Sequence, residues 1–187
     1  MKADSMPHTA QHLATISRTN WPKLKRFFRA KVAEPDCYDL TQDTLLAFVR
    51  TDPQRIARPE AYLWTIARNK LIDYYKRKRP TEVFESSRVS IAEVFGDARG
   101  ISTQLDQSRR LTAALQRLPV DEQIVFELRF GEELGLAEVA EAVGVSLATV
   151  KRMINRARAS LQATLNEAEF RSMRADEAAV VHAYRRE

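Results

Sequence analysis

Glycine, proline and cysteine are scarce in this chain, at 5, 7 and 1 of 187 residues. Few turn-forming residues and a scarcity of valine-rich alternating runs predict a mostly helical protein. The single cysteine, Cys37, excludes an internal disulfide and suits a reducing compartment. On its own it reads as a small core residue rather than a reactive thiol. No apolar run approaches the roughly 18–20 residues that span a bilayer. The first residues carry one lysine and no apolar core after it, so no signal peptide is expected. The expectation is a cytoplasmic protein without membrane insertion. Signs of chemistry are equally scarce. His8, His12 and His182 lie in the terminal segments without metal-ligand spacing. There is no P-loop, no glycine-rich phosphate cradle and no placeable Ser/His/Asp or Cys/His set. A protein that is not an enzyme, with no cofactor and no catalytic residue, is expected.

What is present is apolar residue and positive charge. Hydrophobic residues make up 44% of the chain, enough for real cores, and the net charge is +5. That charge is unevenly spread. Residues 18–79 hold 15 Lys and Arg against 7 Asp and Glu, whereas residues 105–165 hold 8 against 8. A positive excess gathered in the first third suits a polyanionic partner.

Periodicity divides the chain into five parts: a polar lead-in (1–17), a first helical domain (18–80), a linker (81–104), a second helical domain (105–165) and a C-terminal extension (166–187). In the first domain, helices are predicted from Trp21 to Ala33, from Asp36 to Arg50 and from Pro59 to about Arg79. The segment Thr51–Arg58 breaks the pattern at Pro53. Pro59 fits a first-turn position, where its missing N–H costs nothing, and Pro80 ends the third helix. The linker is Ser-, Glu- and Gly-containing without a sustained period. In the second domain, helices are expected near Arg109–Leu118 and Asp121–Phe130, with Pro119 between them. One more helix is expected in the extension, over Glu167–Tyr184.

The most informative stretch follows. In LAEVAEAVGVSLATVKRMINRARASL, Leu136, Val139, Ala140 and Val143 fall at helical spacing. Gly144-Val145-Ser146 interrupts it, and Val150, Ile154, Ala157 and Leu161 resume it. This is the layout of a helix-turn-helix, whose second helix enters the DNA major groove; an ordinary helical hairpin is the plainer alternative. At about 100° per residue, Arg152 points away from the buried direction, flanked by Ala148, Lys151, Asn155 and Arg156. Met153 and Arg158 fall nearer the boundary, and Ser146 is a suitable N-cap. Within this domain the acids end at Glu141 and only bases follow, an unusual sorting for a merely solvated face. Arg and Lys donate to guanine edges or phosphates, and Asn pairs with adenine.

The first domain carries two further patterns. Tyr62, Trp64, Tyr74 and Tyr75 are interleaved with Arg68, Asn69, Lys70, Lys76, Arg77, Lys78 and Arg79. Flat faces beside cations suit a single strand of nucleic acid, although Trp64 fits a core position better than a stacking platform. The helix DCYDLTQDTLLAFVR instead places Asp39, Gln42 and Asp43 within about one turn. An acidic face in a basic domain suits a basic helical partner rather than DNA.

Taken together, DLTQDTLLAFVR, PEAYLWTIARNKLIDYYKRKR, LPVDEQIVFELRF and the helix-turn-helix resemble bacterial RNA polymerase sigma factors of the sigma-70 family, extracytoplasmic-function (ECF) type. The resemblance covers roughly Trp21 to Leu165. It implies an all-α chain of two small helical domains, a region 2 helical bundle and a region 4 helix-turn-helix, joined by a flexible linker. It also implies a transcription initiation factor. Region 2 would dock on the β′ clamp helices of core RNA polymerase through the segment containing Asp39, Gln42 and Asp43. It would melt and read the −10 element as a single strand through Arg68, Asn69, Lys70, Asp73, Tyr74, Lys76 and Arg77, helped by the loop Thr51–Arg58. Region 4, near the β flap, would read the −35 element as duplex promoter DNA through Ser146, Thr149, Lys151, Arg152, Asn155 and Arg156. An anti-sigma factor is a common partner in the family.

One departure stands out. Members often carry Ser-Arg where this chain has Arg152-Met153, so the arginine has moved by one residue around the helix. The resemblance then implies a non-standard −35 element. The competing reading is a stand-alone helix-turn-helix regulator, which leaves the acidic face of Asp39–Asp43 without a task.

Overall fold

The computed structural model describes residues 10–78 and 111–165, apart from Thr112. The expected linker, the C-terminal extension and its helix over Glu167–Tyr184 lie outside the described residues. The chain divides into two compact units, residues 1–74 and 75–187. Among the described residues the regular elements are all helical.

Before the boundary, α1 spans Ala10–Arg29, α2 spans Glu34–Val49, and a short 3-10 turn at Pro53–Arg55 precedes α3, Pro59–Lys78, whose last residues run past it. Helix α1 starts eleven residues before the expected helix, so residues 10–17 are not merely a polar lead-in. Leu13 and Ile16 are buried, continuing the stripe of Leu24, Phe27 and Phe28 toward the N-terminus. Two features hide this in the sequence. Pro22 stands inside the helix, where a proline normally interrupts it. Asn20 occupies a buried position, with its amide donating to the Ile16 carbonyl at 2.9 Å. The hydroxyls of Thr15, Ser17 and Thr19 likewise donate to carbonyls four residues back, which lets polar residues sit within a helix.

Helix α2 begins as charge and proline placement dictate. Glu34 and Asp36 stand in its first turn, where the helix dipole favours anions, and Pro35 needs no hydrogen-bond donor there. Its inner face is Cys37, Leu40, Thr41, Thr44 and Phe48. The two threonine hydroxyls donate to Cys37 O (2.8 Å) and Leu40 O (2.7 Å), so neither is buried unsatisfied. Cys37 is fully buried, as a small core residue would be, and burial pushes its thiol pKa up. Trp64 from α3 meets the edge of Phe27 from α1 at 5.4 Å, so this tryptophan is core.

In the second unit, residues 113–116 are helical and turn at Arg117. Helix α4 follows at Val120–Phe126, then α5 at Leu136–Val143 and α6 at Leu147–Thr164. The helix expected through Phe130 keeps α geometry only to Phe126. It then widens into a π turn over Glu127–Gly131, with Glu132 N–H reaching the Glu127 carbonyl at 3.0 Å. Phe126 and Phe130 stack at 4.6 Å across that turn, and Arg158 of α6 lies 5.2 Å from the Phe130 ring. Helix α5 is opened by Glu138, whose carboxylate accepts from Gly135 N–H at 2.7 Å. It is closed by Gly144 at φ +76°, a left-handed residue whose N–H bonds back to Ala140 O and Glu141 O. Only glycine takes that conformation without steric cost. Helix α6 is capped as expected, with Ser146 Oγ accepting from Thr149 N–H at 3.2 Å. Val150, Ile154, Ala157 and Leu161 are all buried.

Candidate nucleic-acid interface

The outer face of α6 is the clearest candidate. Lys151, Arg152, Asn155 and Arg156 are exposed, and Ala148 is exposed among them. Met153 is buried, at 5% exposure. Met153 therefore contributes to packing, and the arginine one residue earlier faces outward. Arg152 is not loose. Its Nη2 donates to Thr149 Oγ1 at 3.1 Å, and that hydroxyl lies 2.9 Å from Ser146 Oγ. A chain of three side chains thus leads from the helix cap to the guanidinium. Arg156 is held differently, with its Nε 2.7 Å from Oε1 of Glu122 on α4. The two arginines share an outer face, but only Arg152 has its side chain held solely within α6 by the contacts described.

In the first unit, Asp39, Gln42 and Asp43 are exposed together on α2. Leu46 and Val49 continue that face at 47% and 43% exposure. Sequence reasoning missed this apolar extension, although the spacing 42, 46, 49 on a helical wheel points to it. On α3, Asn69, Asp73, Lys76 and Arg77 form an exposed stripe, with Arg68 and Lys70 half-buried. Lys70 Nζ lies 3.3 Å from Oδ2 of Asp43, so the acidic face of α2 and the basic stripe of α3 meet at a shared ion pair. The segment between the helices is ordered by Asp52, whose Oδ1 accepts from Gln54 N–H at 3.1 Å.

Trp64 is core, as expected, but the tyrosines differ from the expected stacking platform. Trp64, Tyr74 and Tyr75 are buried, leaving only Tyr62 half-exposed. Tyr74 donates its phenol to Asp36 Oδ2 at 2.6 Å. Burial first, and the Asp36 carboxylate second, push its pKa far above the usual phenol value. Its ring presents no free face for a base in this structure. The cause is spacing: Leu71, Ile72, Tyr74 and Tyr75 crowd the inner side of α3 near its end, and amphipathic packing takes the aromatics before any ligand does.

Among the described residues no group of three or more His, Cys, Asp or Glu is placed to hold a metal, and no helix is long and apolar enough to cross a membrane.

A helical bundle with an exposed acidic face, and a helix-turn-helix with a basic outer face, are the two parts the described residues build. Comparison with known proteins gives the chain a family. Residues 17–81 match the family model for Sigma-70 region 2, and residues 108–161 match that for Sigma-70, region 4. The chain is 33% identical over 130 residues to the ECF RNA polymerase sigma factor EcfG of Rhodopseudomonas palustris, covering 68% of this chain and 70% of that protein. It is 29% identical to the ECF sigma factor SigM of Bacillus subtilis, covering 68% and 78%. Among solved structures it is similar to the sigma factor RpoE of Bartonella quintana, crystallised with the anti-sigma factor NepR, at a TM-score of 0.59 and 22% identity. That match covers 81% of this chain and 94% of the other. The chain belongs to the ECF sigma factors of the sigma-70 family and is thus a promoter-specific transcription initiation factor.

Proposed function

We propose that the two units grip a promoter at two points. The region 2 unit docks on the β′ clamp helices of core RNA polymerase through Asp39, Gln42 and Asp43, with Leu46 and Val49 supplying apolar contact. It handles the −10 element as a single strand along Arg68, Asn69, Lys70, Asp73, Lys76 and Arg77. Tyr74 serves that stripe from beneath, tying α3 to Asp36 of α2. The region 4 unit, beside the β flap, reads the −35 element as duplex. Lys151, Arg152 and Asn155 face the groove, and Ser146 and Thr149 stand at the helix N-terminus, where helix-turn-helix proteins approach base edges.

The observation that carries this reading is the outer face of α6. Its exposed bases and amide stand opposite a fully apolar buried face, with Arg152 braced toward the helix start. The boundaries 18–80 and 105–165 belong to the same proposal, the division of labour following the two family-model matches. An anti-sigma partner, as the Bartonella protein has, is a further part of it.

Run-off transcription with core polymerase over a library of promoter sequences tests the whole reading. The expected result is template-dependent RNA synthesis with preferences confined to two short blocks. No stimulation of core enzyme by the chain overturns it.

A further inference from the structure

We propose that Glu122 and Arg156 form a positioning pair that sets the rotation of the reading helix, and that Arg156 acts through this pair rather than by touching DNA. The inference rests on the region 4 reading above. Arg156 stands on the outer side of α6, about 40° around the helix from Arg152. From position alone it belongs with the DNA-facing residues. One edge of its guanidinium is already engaged: Nε lies 2.7 Å from Oε1 of Glu122, in the first turn of α4. The two ends are unequal. The Glu122 side chain is 7% exposed and that of Arg156 is 64% exposed. A carboxylate so buried is costly unless a cation stays beside it. Burial indeed pushes the Glu122 carboxyl upward, and Arg156 opposes that shift. The neighbouring Gln123 has its amide donated to Glu127 at 2.7 Å, and nearby Asp121 is a second anion. Moving Arg156 to a phosphate would strand Glu122.

The consequence is geometric. Helices α4 and α6 pack together, and the pair ties a point near the middle of α6 to the start of α4. Apolar packing alone tolerates small rotations of a helix. A short charge-assisted hydrogen bond is directional and fixes which residues of α6 face outward.

The test uses the full chain with core polymerase on promoters carrying single-base changes in the −35 block, at several salt concentrations. Wild type is compared with Arg156→Gln, Glu122→Gln and the double variant, at a temperature well below the melting point of each. The expected result is a several-fold loss of discrimination between preferred and changed −35 bases in both single variants. The double variant should be no worse than either, and the dependence on salt should be unchanged. Arg156→Lys, which retains a cation, should recover part of the discrimination and guards against a variant that fails to fold. A phosphate contact predicts otherwise: Arg156→Gln would weaken all sequences alike and reduce the salt slope by about one, while Glu122→Gln would leave binding equal or stronger. That pattern overturns the proposal. Lower melting temperatures with full discrimination also overturn it, leaving only a stabilising role. A wild-type protein with no −35 preference overturns the region 4 reading itself, whereas a preference that survives both substitutions overturns this role alone.

Discussion

Tyr74 shows how far one hydrogen bond reaches. Its phenol lies 2.6 Å from Asp36 Oδ2 and its ring is buried, so the proton is held well above the ordinary phenol value of 10. A folded state that keeps this proton when the unfolded chain has lost it becomes less stable as pH rises above about 10. Ultraviolet titration should therefore count one tyrosinate late, with unfolding accompanying its appearance. Tyr74→Phe should remove that late step, and an unchanged titration would show that Tyr74 ionises freely. At neutral pH the same substitution leaves Asp36 without this donor, an expected loss of about 1–3 kcal/mol, measurable by chemical denaturation. Arg152 is the residue expected to matter most for sequence choice. Arg152→Ala should weaken promoter use by roughly 1–3 kcal/mol at particular −35 positions if the contact to a base is bidentate. A uniform loss over all −35 sequences would assign it to a phosphate instead. Thr149→Val, which removes the hydroxyl that holds Arg152 at 3.1 Å, should shift the same positions in the same direction by a smaller amount.

At the level of elements, α2 and α5 make contrasting predictions. Asp39, Gln42 and Asp43 take no part in the apolar core, so reversing charge there should spare the fold. Asp43→Arg is expected to impair binding to core polymerase while the circular dichroism spectrum and melting temperature stay near wild type. Undiminished affinity for core would remove this face from the interface. Because Asp43 also pairs with Lys70, an arginine there repels the α3 stripe; Lys70→Ala separates the two effects. Gly144, by contrast, acts through its backbone, closing α5 in the left-handed conformation. A Cβ at this position meets no atom within 4 Å, yet φ is +76°. Gly144→Ala should then cost about 1–2 kcal/mol from backbone alone, read as a lowered melting temperature, and a neutral result would mean the turn relaxes. These elements also show what is legible in a sequence. The α5–turn–α6 segment was readable because its apolar period, left-handed glycine and serine cap all agree. The start of α1 was not, since Asn20 and Pro22 disguise a continuous helix whose buried stripe runs back to Leu13. The widened turn after Phe126 has no signature in spacing. The inward aromatics of α3 misled because basic neighbours resemble a stacking platform until packing is known. Glu122 could not be found by pattern at all: its role comes from a partner 34 residues away in sequence.

Across the whole molecule, positive charge and helical reading surface are unequally shared. The basic excess lies in residues 18–79, 15 Lys and Arg against 7 Asp and Glu, while residues 105–165 are balanced at 8 against 8. A balanced domain gains little from the general attraction of phosphates. Its discrimination has to come from the few groups aimed outward on α6, whereas the first unit can hold a backbone by charge alone. This predicts distinct responses to salt and to sequence. With holoenzyme, changes in the −35 block should cost about 1–3 kcal/mol each, as base contacts do, at low and high salt alike. Changes of Lys76 and Arg77 to Ala should instead weaken promoter binding broadly across sequences and flatten the salt dependence, by about one in slope for each phosphate no longer neutralised. Under the proposed division of labour, the two blocks should also behave independently. A promoter altered in both should lose the sum of the two single losses to within about 0.5 kcal/mol. Competition binding with the four promoters of such a cycle measures this directly. A double change no worse than the worse single change would mean that one unit governs promoter choice and the other merely holds on.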